Sequence, residues 1–247
     1  MPKRSDGIEP RPAGAATAAS DDAGFIPASA LDFARDGAAF YPGAAASVLP
    51  DLLALANAAP QNRAGTRLQG DPALTRLLAD GPIQALTATY LPDAHPVRAI
   101  LFEKSSLTNW SLGWHQDRTV AVRDRRDVAG YSPWTLKQGI LHVSPPFEVI
   151  ERMVTLRIHL DAVPNDNAPL LIAPGSHRLG LVREEDISTA VGRCGVIACL
   201  AKAGDVWAYS TPILHASAAS HGQRRRRVLQ VDYAAGPLDG GLEWLGI

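Results

Sequence analysis

A histidine and an aspartate stand two residues apart in the segment GWHQDRT, at His115 and Asp117. Imidazole and carboxylate are ligands that ferrous iron, manganese and zinc accept in proteins. Alternate side chains of a strand point to the same side, so both groups can reach one ion at a strand end. Because most isolated pairs of this kind are surface groups or hydrogen-bonded partners, the segment predicts a metal site only if a third ligand arrives from elsewhere.

His215 is the best candidate for that third ligand. It follows a predicted strand in GDVWAYSTPILHAS, and its small neighbours leave room for a ligand bound at the metal. Two histidines and one carboxylate on one face of an iron ion leave three positions open for substrate or oxygen. We therefore predict that His115, Asp117 and His215 are the metal ligands and the catalytic groups.

A cationic side chain follows the third ligand at a spacing that favours binding of an organic acid. Arg226 comes eleven residues after His215, and a guanidinium holds a carboxylate through two parallel hydrogen bonds. The Ser217 hydroxyl can bind the same carboxylate. The three metal ligands together with an interior arginine are the arrangement needed to chelate a 2-oxo acid, whose far carboxylate would meet Arg226. Arg157 and Asn109, on polar faces of predicted strands, are further candidates for cofactor binding. The alternative for the basic run 224–227 is a solvated junction or a phosphate-binding patch.

The surrounding sequence predicts a mainly β fold with flanking helices. Residues 25–95 are expected to be mostly helical, beginning with a helix over ALDFARDGAAF capped by Ser29. Eight short segments rich in β-branched, leucine and aromatic residues follow, which indicates a β-barrel or jelly roll with the N-terminal helices packed on one sheet. Strands 154–160 and 226–233 alternate between apolar and polar residues. Their apolar faces should pack on the helices, and their polar faces should line a cavity or meet water.

Composition limits the possible partners. The 247 residues carry a net charge of −1, which provides no overall attraction to nucleic acid or to an anionic membrane. No apolar run is long enough to span a membrane, and the N-terminus does not resemble a signal peptide. We expect a disordered tail over residues 1–24, a single domain over 25–247, and a cytoplasmic protein with few cysteines. The oligomeric state cannot be read from the sequence.

Three stretches together resemble the phytanoyl-CoA dioxygenase family of Fe(II)/2-oxoglutarate-dependent oxygenases: WHQD, NAPLLIAPGSHRLG and GDVWAYSTPILHAS…RRRVLQVDY. The resemblance covers roughly residues 30–235 and implies a double-stranded β-helix, or jelly roll. It implies iron ligands at His115, Asp117 and His215. Arg226, helped by Ser217, would hold the distal carboxylate of 2-oxoglutarate. The chain departs from the family pattern at Ala168, where glycine is usual, and at Ser220, where asparagine is frequent.

The resemblance also implies the reaction, which is hydroxylation of an unactivated C–H bond in a small molecule. Fe(II), 2-oxoglutarate and O2 would be required, and succinate and CO2 released. Two other readings remain open, a zinc-dependent hydrolase on the same His2Asp site and a non-catalytic jelly-roll binding protein. The substrate cannot be identified, but His142 and the arginine-rich loop 118–138 are expected to shape its pocket.

Overall fold

The computed structural model of the protein describes residues 28–220 and 224–247. The predicted tail over residues 1–24 lies outside this range, and the single-domain assignment for residues 25–247 stays a prediction. Within the described residues, no helix combines the length and the apolar character needed to cross a lipid bilayer.

Helices are concentrated in the N-terminal third of the chain, as the sequence predicted. The α-helices of the described residues are α1 Phe33–Asp36, α2 Leu49–Ala58, α3 Pro72–Ala79, α4 Gly81–Ala88, α5 Phe147–Glu151 and α6 Ile187–Cys194. The strands are β1 Ala38–Tyr41, β2 Gly65–Leu68, β3 His95–Lys104, β4 Leu112–His115, β5 Val120–Ala121, β6 Trp134–Lys137, β7 Ile140–Val143, β8 Val154–His159, β9 Leu170–Ile172, β10 Ile197–Cys199, β11 Val206–Ser210, β12 His215–Ser217 and β13 Arg226–Ala234.

The strands form antiparallel sheets. The largest has the order β1-β11-β8-β13-β3-β2, and a second has the order β10-β9-β12-β4. In a small three-stranded sheet, β5-β7-β6, strands β5 and β6 lie in the segment 118–138 that was expected to be a loop, whereas β7 follows it. Side chains from the two larger sheets line one cavity, so the sheets face each other across it. This arrangement confirms the predicted jelly roll.

The main core lies between the six-stranded sheet and the N-terminal helices. Apolar residues of β8 and β13, such as Leu156 and Leu229, pack there against Leu52 of α2 and Leu78 of α3. The opposite, polar faces of the same strands are also buried, because Arg157 is only 4% exposed. The alternation therefore places apolar side chains on the helices and polar side chains in the cavity.

The first helix is shorter than the sequence predicted. Asp32 caps α1 by accepting a hydrogen bond from the Arg35 amide, and Gly37 ends the helix in the left-handed conformation at φ 73°. The expected helix over ALDFARDGAAF is therefore wrong at both ends, since its N-cap is Asp32 and not Ser29. Residues 38–41 form strand β1, which pairs with β11. Gly37 provides the physical reason, because a left-handed residue terminates a helix.

Candidate active site

The two histidines predicted as ligands are neighbours in the structure. His115 is the last residue of β4 and His215 the first of β12, and the two residues are directly paired across these antiparallel strands. Their ring centroids lie 4.2 Å apart. Strand pairing thus brings together two imidazoles that are a hundred positions apart in the sequence.

Both imidazole rings are held by the backbone through the same nitrogen. His115 Nδ1 lies 2.8 Å from the Gly113 carbonyl oxygen, and His215 Nδ1 lies 2.9 Å from that of Ile213. A hydrogen bond to a carbonyl requires the proton on Nδ1, which leaves the Nε2 lone pair free for a metal. Burial, reinforced by the neighbouring His115, lowers the pKa of His215 to about 4, so this ring is neutral at pH 7.

Asp117 lies beside the two histidines and contacts a buried arginine. Its Oδ2 atom is 3.4 Å from Arg98 Nη2 and accepts no hydrogen bond. Burial would raise the pKa of Asp117, but the positive charge of Arg98 and the adjacent histidines hold it below its usual value. The aspartate is therefore an anion with an unused acceptor atom, as a metal ligand must be.

The three side chains are of the types that bind a metal ion, but they do not form a complete coordination site. Within residues 28–220 and 224–247, no cluster of three or more His, Cys, Asp or Glu side chains has the geometry of a complete metal site. Two imidazoles with free Nε2 atoms and an anionic carboxylate nevertheless form the donor set that ferrous iron accepts. The assignment of His115, Asp117 and His215 as metal ligands remains a proposal.

A group of three cations lies deeper in the barrel. Arg226 is 1% exposed, Lys104 is fully buried, and Arg157 is 4% exposed. Arg226 donates to the Ala168 carbonyl, Arg157 donates to Gln230 Oε1 at 2.8 Å, and none of the three forms a salt bridge with a described residue. We call these residues the inner cation cluster.

Lys104 is a member of the cluster that the sequence analysis missed. Its Nζ donates to Ser217 Oγ at 2.8 Å and also contacts the Ala218 carbonyl. Burial, together with the charges of Arg226 and Arg157, lowers the pKa of Lys104 to about 7. The lysine lies at the end of β3, directly opposite Arg226 in the strand register. Only a prediction that β3 pairs with β13 could have identified Lys104 from the sequence. Local sequence patterns do not reveal such a long-range pairing.

The other arginines of the basic run point away from the cavity. Arg227 binds Asp161 through two nitrogens, and Arg224 binds Asp166 at 2.6 Å. Arg225 binds Glu103, so Arg226 is the one arginine of the run that forms no salt bridge with a described residue, and it is 1% exposed on the polar face that the alternation of β13 predicted. This placement favours Arg226 over Arg227 as the carboxylate ligand.

Two other predicted residues lie elsewhere. Asn109, expected to bind the cofactor, is exposed and does not line the cavity, and its amide exchanges two 2.7 Å hydrogen bonds with the backbone of Ser220. Asn109 therefore holds in place the segment that follows β12. His142 is fully buried with an unpaired Nε2, and it does not line the cavity either.

The cavity between the sheets has a volume of about 350 Å³ and reaches all three proposed ligands. Its cationic lining is Arg67, Arg98, Arg118, Lys137 and Arg157. Apolar walls come from Ile100, Phe102, Trp110, Leu112 and Leu170. This volume is within the range of small-molecule sites in proteins, roughly 300–1,000 Å³.

Solved structures with a similar fold support the same architecture. EctD from S. alaskensis, solved with bound Fe, is 20% identical, with a TM-score of 0.59 over 87% of this chain and 79% of that one. HygX from Streptomyces hygroscopicus, solved with nickel and 2-oxoglutarate, is 14% identical, with a TM-score of 0.57 over 82% and 84%. SnoN, described as a non-heme alpha ketoglutarate dependent epimerase from nogalamycin biosynthesis, is 16% identical, with a TM-score of 0.56 over 82% and 79%.

A family assignment comes from the sequence itself. No match is found among curated proteins. The family described as Phytanoyl-CoA dioxygenase (PhyH) matches residues 84–228, which is more than half of the chain and includes all three proposed metal ligands. The chain belongs to the phytanoyl-CoA dioxygenase family, and as a member of it is an iron- and 2-oxoglutarate-dependent oxygenase.

Proposed function

We propose that this enzyme hydroxylates an unactivated C–H bond of a small molecule, with His115, Asp117 and His215 holding Fe(II). The observation that carries the proposal is the convergence of the two imidazoles with a partly buried carboxylate whose enclosed Oδ2 atom accepts no hydrogen bond. When bound, iron supplies the oxidising chemistry with O2 and 2-oxoglutarate, and succinate and CO2 are released. HygX, a structural neighbour, has been solved with 2-oxoglutarate and with hygromycin B, a small molecule.

The inner cation cluster supports the assignment of 2-oxoglutarate as the co-substrate. Buried cations without counter-ions are costly, and a dicarboxylate supplies the missing negative charge. Arg226 would bind the distal carboxylate, with the Ser217 hydroxyl and Lys104 adding hydrogen bonds. Arg157 is oriented by Gln230 and contributes a second guanidinium close by. A zinc hydrolase would have no need of this cluster.

The protein residues also control solvent access to the metal. Tyr209 is fully buried, donates to Gln230 Oε1 and lies with its ring centroid 5.9 Å from that of His215. It shields one side of the metal-binding imidazole from water. Exclusion of water strengthens each electrostatic contact in the site and protects reactive species from side reactions.

Turnover assays test the proposal directly. The purified protein, given Fe(II), 2-oxoglutarate, O2 and a panel of small molecules, should release succinate, and the stimulating compound should gain one oxygen atom by mass spectrometry. His215→Ala should release no succinate above background. Succinate release by His215→Ala at the wild-type rate would refute the ligand assignment, and hydrolysis of a panel compound without 2-oxoglutarate would favour the zinc hydrolase.

A further inference from the structure

We propose that the substrate carries an acidic group, a carboxylate or a phosphate, which Arg67 and Lys137 bind at the more exposed end of the active-site cavity. The inference rests on the proposed function and names the substrate class for the same site. The two cations belong to different sheets, Arg67 to β2 and Lys137 to β6. We call this pair the outer cation pair.

Neither member of the pair has a counter-ion among the residues that the structure describes. Arg67 is partly buried, and its Nε atom is enclosed without a hydrogen-bond partner. Lys137 donates one hydrogen bond, at 3.1 Å, to the Thr119 hydroxyl, and makes no salt bridge. Both line the cavity. Partly buried donors without partners are destabilising unless a ligand satisfies them, so this end of the cavity favours an anion.

The nearby acidic groups do not supply the missing charge. Burial lowers the pKa of Arg67, and the charge of Arg98 lowers it further. Burial and Arg98 lower the pKa of Lys137 as well, although Asp117 partly opposes this. Asp117 and Asp232 both contact Arg98, so their charges are already engaged. The pair therefore faces the cavity as uncompensated positive charge.

The outer cation pair is distinct from the inner cluster proposed to hold 2-oxoglutarate. Lys104 experiences the charges of Arg226 and Arg157, whereas Lys137 experiences those of Arg98, Asp117 and Arg67. Asp117, a proposed metal ligand, is thus a neighbour of Lys137, and both cations line the cavity that Asp117 also lines. An acid bound there would place the adjoining part of the substrate close to the metal.

The remaining walls define the rest of the substrate. Phe102, Trp110 and Leu112 line the same cavity with apolar surface. Apolar walls with a few polar groups that fix orientation are typical of small-molecule sites. A compound with an apolar body and one acidic group fits this combination, whereas a neutral or cationic compound leaves the outer pair unpaired.

Equilibrium binding of simple probes tests the inference. The protein is loaded without oxygen with Mn(II) and saturating 2-oxoglutarate, so that the inner cluster is occupied. Hexanoate and hexyl phosphate are then titrated beside their neutral counterparts hexanamide and hexanol. The variants are Arg67→Gln and Lys137→Gln. Arg123→Gln is the matched control, since Arg123 is exposed and pairs with Glu243.

At least one anion should bind the wild type roughly tenfold or more tightly than its neutral counterpart, and each cavity variant should lose roughly tenfold or more of that affinity. Arg123→Gln should bind like the wild type, and all variants should retain 2-oxoglutarate affinity. Whether the carboxylate or the phosphate binds better identifies the acidic group. Neutral probes binding as well as both anions, or anion affinity unchanged in both cavity variants, would overturn the inference. Failure of the wild type to bind Mn(II) and 2-oxoglutarate would instead contradict the proposed function, before any probe is added.

Discussion

At the scale of single residues, the inner cation cluster is the proposed binding site for the co-substrate. Arg226, Arg157 and Lys104 are buried, and none of them forms a salt bridge with a carboxylate of the described residues. Each keeps some hydrogen bonding to neutral oxygens, which lowers the cost of burial without cancelling the charge. Such a cluster is stable mainly when an anion occupies it, and this makes its members the most informative targets for substitution.

Replacing Arg226 with glutamine should weaken 2-oxoglutarate binding strongly. Loss of one partner from a buried charge pair costs about 2–5 kcal/mol, which is roughly 30-fold or more in the dissociation constant. Isothermal titration of the Mn(II)-loaded protein measures this effect. Arg224→Gln is the matched control, because Arg224 is exposed and pairs with Asp166 outside the cavity. Unchanged 2-oxoglutarate affinity in Arg226→Gln would indicate that Arg157 or Lys104 binds the distal carboxylate instead.

Lys104 should make 2-oxoglutarate binding depend on pH. Its pKa of about 7 lies well below the ordinary value, so at pH 8 the free protein holds this lysine mostly neutral. A bound dicarboxylate favours the charged form, and binding then takes up a proton. Affinity should therefore rise as the pH falls from 9 to 7, by at most about tenfold per pH unit. Titrations at several pH values should show this slope in the wild type, while a slope of the same size in Lys104→Met would contradict the assignment.

At the scale of elements, one turn joins the N-terminal helix to the sheet and limits what can be substituted there. A Cβ atom built on Gly37 would lie 2.3 Å from Nδ1 of His177, and the residue has a φ of 73°. His177, in the PGSH motif, thus packs directly on the backbone where α1 ends and β1 begins. This contact indicates that His177 has a structural role at the turn between α1 and β1.

Gly37→Ala should destabilise the fold through two separable effects. The left-handed conformation costs an alanine about 1–2 kcal/mol, and the clash with His177 adds roughly 1–3 kcal/mol. Gly43→Ala is the matched control, since its φ is 66° and a Cβ there meets nothing within 4 Å. Urea unfolding should show a larger loss for Gly37→Ala, and the excess should shrink in a His177→Ala background. Equal losses at the two glycines would show that the clash is absent.

Local sequence patterns predicted some residues of this site and missed others. The alternation along β8 and β13 correctly placed Arg157 and Arg226 inside the barrel, because period-two patterns are properties of one strand. Lys104 and Arg67 were missed because each is brought to the site by pairing with a distant strand, β13 and β3 respectively. The alternation placed Asn109 on the polar face of a predicted strand. Strand β4 begins only at Leu112, so the alternation does not extend to Asn109.

At the scale of the whole molecule, charge is distributed unevenly although the total is close to zero. The net charge is −1, yet the cavity lining contains five cations and a single acid, Asp117. The overall charge therefore predicted no general attraction to nucleic acid or membranes, but it did not reveal the charge of the cavity. The two larger sheets place this positive charge around the cavity between them, which is the basis for the proposed preference for acidic ligands.

We expect His115, Asp117 and His215 to bind one ferrous ion, at which 2-oxoglutarate would then bind. Anaerobic titration of the purified protein with Fe(II) and 2-oxoglutarate, followed by visible absorption, tests it most directly. We expect a weak charge-transfer band that saturates at one iron per chain, and no band in His115→Ala, Asp117→Ala or His215→Ala. Tight zinc binding without a band in the wild type, or an undiminished band in the three variants, would contradict the account.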